Sequence, residues 1–307
     1  MIHRRVALGP QFLLLALAFA LENAGSSAGA RAAEAPSQPV AVVDGARQQS
    51  FVIPTAERTL EGLPADAPSI MLKGKTLSVD GVVAGSIAEP LAKGQIRRLE
   101  GLSEALKARR RAWESAHPGV QSPNYVLLWL DVATPLTVVK SILQTAALAG
   151  YPEISFAVHP KGDPRAVAHI NIDAIVPEPS LAGRNDPFAL QVNAVEGNEL
   201  SFAWEAGGEA FPSIYVAERV EPGASAFPVL ASKLQDEWTA HGGHRSPVDR
   251  GFDHAVLQAS NSLTLQTMVA LVDAIYSPMR EFEFEGKAER VSAFNVALGG
   301  VASQPAD

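Results

Sequence analysis

Residues 125–158 constrain the fold more than any other stretch of the sequence. Tyr125–Leu130 is an apolar run too short for a helix, so it is predicted to be a buried strand. A helix is predicted to follow, because Thr134 can cap it, Pro135 suits its first position and Gly150 suits its end. The residues after Gly150 alternate between apolar and polar, which predicts a second strand.

A second stretch, Ala255–Phe284, repeats this order of strand, turn, helix and strand. Leu136-Thr137 in the first stretch aligns with Leu263-Thr264 in the second. Further along, the segment Val167–Ile172 resembles the segment Val291–Val296. Several matches in the same order indicate a tandem duplication of a small α/β unit.

The predicted fold class is α+β, with two tandem two-layer α/β sandwiches. Each sandwich has the order ββαβαβ(β), with two helices on one face of a mixed sheet. Shifts in Pro, Gly and Ser content place the boundaries. The predicted segments are a signal peptide at 1–35, a flexible linker at 36–68, a first domain at 69–176, a second linker at 177–187, a second domain at 188–298 and a tail at 299–307.

The N-terminal segment has the three-part pattern of a secretory signal peptide. His3–Arg5 is the positive start, Phe12–Leu21 is an apolar run, and small-residue cleavage sites follow. The run is about half the ~20 residues that a membrane-spanning helix needs, so we expect cleavage and no stable membrane span afterwards. The alternative is an uncleaved anchor. The predicted localisation is the periplasm or cell envelope.

The composition narrows the possible partners and chemistry. The chain has no cysteine, which excludes disulfides, thiolate metal sites and cysteine nucleophiles. Its net charge of −8 argues against nucleic acid or an anionic membrane surface as the partner.

The first unit resembles the periplasmic domain of the ExbD/TolR family of biopolymer-transport proteins. That family has a strand ending in Asp, then a Pro, a helix ending in Ala-Gly, and a strand. Asp131, Pro135, Val139, Ala149-Gly150 and Ile154–Phe156 match this pattern. The resemblance implies that Asp131, Pro135 and Gly150 belong to a binding surface.

The resemblance covers about Ile70–Val158, and two departures limit what it implies. The second unit has Gln258 in place of Asp131 and Ser277 in place of Gly150. The N-terminal apolar run lacks the intramembrane acidic residue that carries protons in the family, so the motor function is not implied. Family members pair as dimers, and two units in one chain suggest an internal pseudo-dimer and a monomeric protein.

Ligand-type side chains cluster in one glycine-rich loop, which holds His241, His244 and His254. Such a loop could bind zinc, but its spacing fits no ordered metal motif. Asp131 could act as a general base, or it could bind backbone N–H groups after its strand. The sequence has no nucleophile elbow and no phosphate loop.

Two functions follow as hypotheses. The first is a non-enzymatic binding or scaffold module of the envelope, without a cofactor, whose partners are envelope proteins or peptidoglycan. The second is a secreted metal-dependent hydrolase that uses the His241–His254 loop.

Overall fold

Fifteen strands and five helices form in the part of the chain that the computed structural model describes, namely residues 51–299 without 61, 65, 174–187, 207–208 and 285–286. The first seven strands are β1 (Thr55–Ala56), β2 (Ser69–Lys73), β3 (Thr76–Val79), β4 (Val82–Ser86), β5 (Tyr125–Trp129), β6 (Glu153–Pro160) and β7 (Ala168–Asp173). The others are β8 (Phe188–Ala194), β9 (Glu199–Ala206), β10 (Glu209–Ala210), β11 (Ile214–Arg219), β12 (Asp253–Ala259), β13 (Met279–Phe284), β14 (Lys287–Ser292) and β15 (Phe294–Leu298). The helices are α1 (Ala88–Lys93), α2 (Glu100–Ala116), α3 (Leu136–Leu148), α4 (Pro228–His241) and α5 (Leu265–Ile275).

Several predicted segments lie outside the described residues. These are the signal peptide at 1–35, the first part of the linker at 36–68, the linker at 177–187 and the tail beyond residue 299. No helix in the described ranges has the length and apolar character needed to cross a membrane.

Most of the strands belong to one mixed sheet of thirteen strands, and the predicted α+β class is confirmed. Its main path runs in the order β10-β9-β8-β12-β15-β7-β6-β5-β2-β3-β4, with β1 beside β6 and β11 beside β9. A single parallel pair, Ala297 with Asp173, joins the strands of the two predicted domains. The described residues form one compact unit, so the boundary between those domains is crossed by a continuous sheet.

The two halves of the sheet have the same local strand order. In the first half, β5 is parallel to β2 and β6, and the antiparallel strands β3 and β4 continue from β2. In the second half, β12 is parallel to β8 and β15, and the antiparallel strands β9 and β11 continue from β8. Three strands, β2–β4, precede α2 in the first half and four, β8–β11, precede α4 in the second, whereas two were predicted in each.

The predicted match between the last strands of the two halves is wrong. The strand β7 is antiparallel to β6, whereas β15 is parallel to β12. The reason is a separate two-stranded sheet, in which β13 and β14 leave the main sheet after α5. The chain then returns as β15 and takes the place beside β12 that β6 takes beside β5.

The core forms around β5 and α3, the elements that the sequence pattern predicts. Val126 and Leu128 are fully buried in the main core, while Leu127 packs into a smaller cluster on Ile53 and Ala157. A strand buried on both sides has a continuous apolar run, as β5 does. The helix α3 begins at Leu136, because the residue before it has an extended backbone and acts as the cap.

The segment that precedes β2 is docked on the fold, although a flexible linker was predicted for residues 36–68. We call residues 51–64 (without the undescribed 61) the strap. Its backbone begins beside β5, where Val52 N donates to Asp131 Oδ2 at 2.9 Å and Val52 O accepts from Val132 N at 2.8 Å. Further along, β1 pairs with β6, and Leu60 pairs with His169.

Side chains of α5 hold the middle of the strap. The side-chain amide of Gln266 accepts from Thr55 N at 3.1 Å and donates to Thr55 O at 3.2 Å. The Asp273 carboxylate accepts from Glu57 N at 2.8 Å and from Arg58 N at 3.0 Å. A segment with linker-like composition becomes ordered here because distant side chains satisfy its backbone groups.

Candidate binding site

A cavity of about 340 Å³ lies under the end of the strap, against β5, β6 and β7. We call it the strap pocket. The strap contributes Leu63 and Pro64, and the remaining lining residues are Tyr125, Glu153, Ile154, Ser155, His169, Asn171, Ile172 and Asp173. Ligand sites are commonly concave, with a few convergent polar groups among apolar ones, and this lining has that character.

Cross-strand pairs between β6 and β7 supply the polar side chains of the pocket. Glu153 is opposite Asp173, and Ser155 is opposite Asn171. Residues two apart on a strand point to the same face, so these pairs form consecutive rungs on one face of the sheet. The Ser155 hydroxyl donates to Asn171 Oδ1 at 2.8 Å, which leaves the Asn171 amide nitrogen as a donor.

One end of the strap pocket is acidic. Directly opposed like charges destabilise an antiparallel pair, yet Glu153 and Asp173 occupy such positions. The acidic environment also reaches Tyr125, whose pKa is raised by burial and further by the charges of Asp66 and Glu153. Asn124 Nδ2 donates to Glu153 Oε1 at 2.6 Å, so one oxygen of that carboxylate is already hydrogen-bonded.

The other end of the strap pocket holds His169, which is only 8% exposed. Its Nδ1 lies 2.7 Å from the carbonyl oxygen of Gly62, so Nδ1 carries the proton and donates to the strap. In neutral His169 the other ring nitrogen, Nε2, is then an acceptor. No hydrogen bond links Nε2 to any residue in the described ranges.

The three residues of the family pattern, Asp131, Pro135 and Gly150, have roles in the local backbone around α3. Asp131 accepts hydrogen bonds from Val52 N and from Ala133 N, the latter at 2.9 Å. Pro135 caps α3 and forms an isolated bridge with Thr264. They lie at the start of α3, whereas Gly150 lies beyond its end, about 20 Å away at 1.5 Å per residue.

Gly150 follows the end of α3 and has a backbone conformation that favours glycine. Its φ of 97° is in the left-handed region that favours glycine. Its carbonyl oxygen accepts from Arg110 Nη1 at 2.6 Å, and an added Cβ would overlap that same nitrogen. None of Asp131, Pro135 and Gly150 lines the strap pocket.

The three histidines of the predicted metal loop have separate environments. The ring of His241 stacks on Trp204, with 4.2 Å between centroids. His244 Nδ1 lies 2.8 Å from an Asp249 carboxylate oxygen, and His254 lies within β12. No three His, Asp or Glu side chains within the described residues converge as metal ligands would.

A second cavity, of about 280 Å³, lies where the loop after β5 meets the loop after β12. Its lining residues are Val132, Ala133, Pro222, Gly223, Thr264 and Gln266. The Gln266 backbone N–H donates to the carbonyl oxygen of Val132 at 3.1 Å, so this cavity belongs to the contact between the halves. It has no charged lining residue and offers fewer groups for a ligand than the strap pocket does.

The sequence patterns did not identify the strap pocket residues. Glu153, Ser155, Asn171 and Asp173 are alternate residues of two consecutive strands, which is the signal that was available. Alternation alone shows that they share faces of strands, but the pairing of β6 with β7 is needed to place them opposite each other.

Comparisons with known proteins assign no family to this chain. No protein-family model matches it, and no curated protein matches it. Among solved structures, it is similar to a PPX-GPPA enzyme of Aquifex aeolicus, with 11% sequence identity over 62% of this chain and 67% of that chain. The TM-score is 0.17, so the similarity carries no argument about fold or function.

The resemblance to the ExbD/TolR family is therefore wrong, and the transport role that it implied is withdrawn. The pattern behind it is general. An aspartate after a strand binds turn N–H groups, a proline starts a helix, and a glycine ends it. Asp131, Pro135 and Gly150 have these local roles here, so the pattern does not by itself identify a family.

Proposed function

We propose that this chain is an exported protein of the bacterial cell envelope that acts by binding, and that the strap pocket is its binding site. The observation that carries the proposal is the cavity itself, in which polar rungs of β6 and β7 lie under the end of the strap. The signal-peptide pattern at 1–35 and the absence of cysteine support export.

Peptidoglycan is the partner that we propose for this pocket. Its stem peptides and sugars carry amide, hydroxyl and amino groups, which can pair with the carboxylate, amide and imidazole groups of the lining. Two of the polar lining residues, Ser155 and His169, are buried, and a ligand without groups that match them would be disfavoured.

We also infer that the two halves are copies of one unit, paired within the chain as a pseudo-dimer. The hydrogen bonds between the two loops support this, because they are exchanged. Leu136 N donates to Leu263 O, and Leu265 N donates to Thr134 O, both at 2.8 Å. A second exchanged pair flanks the first. Leu136 and Leu265 each begin a helix, so the alignment of Leu136 with Leu263 was shifted by two residues.

Sedimentation with purified peptidoglycan sacculi tests the binding function. Asn171→Trp places a large ring in the strap pocket, and we expect it to reduce co-sedimentation at least tenfold. The matched control is Asn295→Trp, an exposed asparagine on β15 that lies outside the pocket lining. Native protein and the control variant should sediment equally.

Two results would overturn the function. One is native protein that stays in the supernatant with sacculi. The other is equal binding by Asn171→Trp and Asn295→Trp, which would place the contact elsewhere. Light scattering of the native chain tests the pseudo-dimer separately, and a monomer is the expected result.

A further inference from the structure

We propose that the strap lies in a groove that also binds an extended segment of another protein, which replaces the strap when it binds. We call the surface under residues 52–58 the strap groove. The groove residues that hydrogen-bond to the strap are Asp131, Val132, His159, Lys161, Gln266 and Asp273. None of them lines the strap pocket, so this second binding surface is distinct from the site of the proposed function.

Side chains of the groove bind the backbone of the strap. Asp131 accepts from one strap N–H group, and Asp273 accepts from two. The side-chain amide of Gln266 bonds both backbone groups of Thr55, as the next strand of a sheet would. Contacts of this kind require an extended backbone and not particular side chains, so another chain in the same conformation can make them.

The strap also pairs with a length of β6 that no other strand covers on that side. The backbone N–H groups of His159 and Lys161 donate to Pro54 O and Ala56 O, at 2.7 and 2.8 Å. This end of β6 extends past its last pair with β5, so it is an edge to which an extended segment can add. Addition of a strand to an exposed sheet edge is a recurring mode of peptide recognition.

The few buried side chains of the strap define the sequence that the groove selects. Ile53 belongs to the small cluster on β5 and β6, Pro54 is buried beside it, and Ala56 belongs to the main core. The Glu57 carboxylate forms an ion pair with Lys161. A partner segment is therefore expected to have a branched apolar residue, then proline, and, two positions after the proline, a small residue followed by an acidic one.

Space beside the groove gives a partner contacts that the strap does not make. The cavity of about 280 Å³ between the halves shares Val132 and Gln266 with the groove, and these two residues contact the strap at Val52 and Thr55. No strap residue is among the lining residues of this cavity. A partner segment that places an apolar side chain there would gain burial that the strap lacks.

The tether gives the strap an advantage that a partner has to overcome. A short linker joins the strap to β2, so the effective concentration of the strap at the groove is on the order of 1 mM. A free segment with equal contacts displaces the strap only at comparable concentrations. Weakening the strap alone, without a change in the groove, should therefore make the groove available to a free peptide.

Calorimetric titrations of the full chain with a synthetic peptide test the groove. The peptide has the sequence of Phe51–Leu60, and the receptor carries Ile53→Asp, which places a charge at a buried strap position and leaves every groove residue unchanged. We expect this variant to bind the peptide at least tenfold more tightly than native protein, in which the strap competes. A peptide that itself carries Ile53→Asp and Ala56→Asp should not bind.

A substitution in the groove tests whether the peptide occupies the place of the strap. Gln266→Ala, added to the Ile53→Asp chain, removes both bonds to Thr55 and should weaken peptide binding at least tenfold. The matched control is Gln235→Ala in the same chain, which replaces another half-buried glutamine, on α4, whose side chain bonds Thr239. This control should bind the peptide as the Ile53→Asp chain does. Thermal unfolding checks that each variant folds.

Hydrogen exchange of native protein is a second measurement, which does not depend on the folding of any variant. Several millimolar peptide should speed the exchange of the strap amides of Thr55 and Glu57 several-fold and leave the exchange of β5 unchanged. Exchange of the strap that the peptide does not change would overturn the proposal. So would a substituted peptide that binds as well as the native sequence, or binding that Gln266→Ala leaves unchanged.

Light scattering separates another protein from a second copy of this chain as the occupant. Dimers of native protein that dissociate when the peptide is added would show that straps exchange between copies, and would overturn a different protein as the partner. Sacculus binding is a separate outcome, because neither Ile53→Asp nor Gln266→Ala alters a residue that lines the strap pocket.

Discussion

The side-chain nitrogen of Lys140 lies 2.9 Å from Oδ1 of Asn261, across the contact between the two halves of the chain. It also donates to the carbonyl oxygen of Ala259 at 2.6 Å. Lys140 is almost fully buried on α3, and burial lowers its pKa to about 8. A lysine from one half therefore satisfies polar groups of the other half, at the cost of burying a charge.

The first prediction concerns the pH dependence of this contact. The pKa of Lys140 is lower in the folded protein than in the unfolded chain, so the unfolded chain binds more protons between about pH 8 and 10. The free energy of unfolding should therefore rise with pH in that window, by at most about 1.4 kcal/mol per pH unit. Urea unfolding of native protein and Lys140→Met should show the rise in native protein only.

The control for Lys140→Met is Lys75→Met, which replaces an exposed lysine in the turn between β2 and β3. This variant should keep the native pH dependence. The same slope in native protein and Lys140→Met would contradict the assignment of the rise to Lys140.

The second prediction concerns the start of the strap. Asp131→Ala removes the acceptor of Val52 N, and losing such a bond costs about 1 kcal/mol. Because the strap is then held less firmly, trypsin should cleave after Arg58 several-fold faster than in native protein. The cleavage rate is measured by mass spectrometry under native conditions.

Asp163→Ala is the control for this experiment. Asp163 also accepts backbone N–H groups, from Arg165 and Ala166, but none of its hydrogen bonds within the described residues joins the strap. Equal acceleration of cleavage after Arg58 in both variants would show that Asp131 does not hold the strap.

The third prediction concerns Gly150. Gly150→Ala gives alanine a positive φ and displaces the Arg110 guanidinium from its hydrogen bond to Gly150 O, so we expect a loss of about 2–3 kcal/mol in the free energy of unfolding. Gly162→Ala has a similar φ of 90° but no atom within 4 Å of the added Cβ. It should lose only about 1 kcal/mol, by chemical denaturation. Equal losses would assign the effect to backbone strain alone.

The fourth prediction concerns the middle of the strap. Burial raises the pKa of Asp273 to about 6, although hydrogen bonds from Glu57 N and Arg58 N oppose the shift. The folded protein then binds more protons than the unfolded chain between about pH 4 and 6. This group therefore contributes stability below about pH 4, and that contribution is lost as the pH rises through 6.

Native protein should accordingly lose more stability between pH 4 and 7 than Asp273→Asn does, as measured by urea unfolding. Asp236→Asn, at an exposed position on α4, should behave as native protein. If the free energy of unfolding depends on pH in the same way in native protein and in Asp273→Asn, Asp273 is not the origin of the pH dependence.

Local signals in the sequence determined the elements at the centre of the fold. The apolar run at Tyr125–Leu130 formed β5, and the helix between Pro135 and Gly150 formed α3 within one residue of its predicted start. These elements depend on residues a few positions apart, because apolar periodicity, a proline and a glycine act through the local backbone. The α+β fold class followed from the same order of strands and helices.

Tertiary structure alone decided the strap and the strap pocket. Thr55 is held by Gln266, and Gly62 is held by His169, so each contact joins segments that are far apart in the chain. Glu153 faces Asp173 only through the register of β6 with β7. Composition indicated a linker where the strap lies, because composition reports what a segment can bury by itself. It does not report which distant donors and acceptors will satisfy the backbone of that segment.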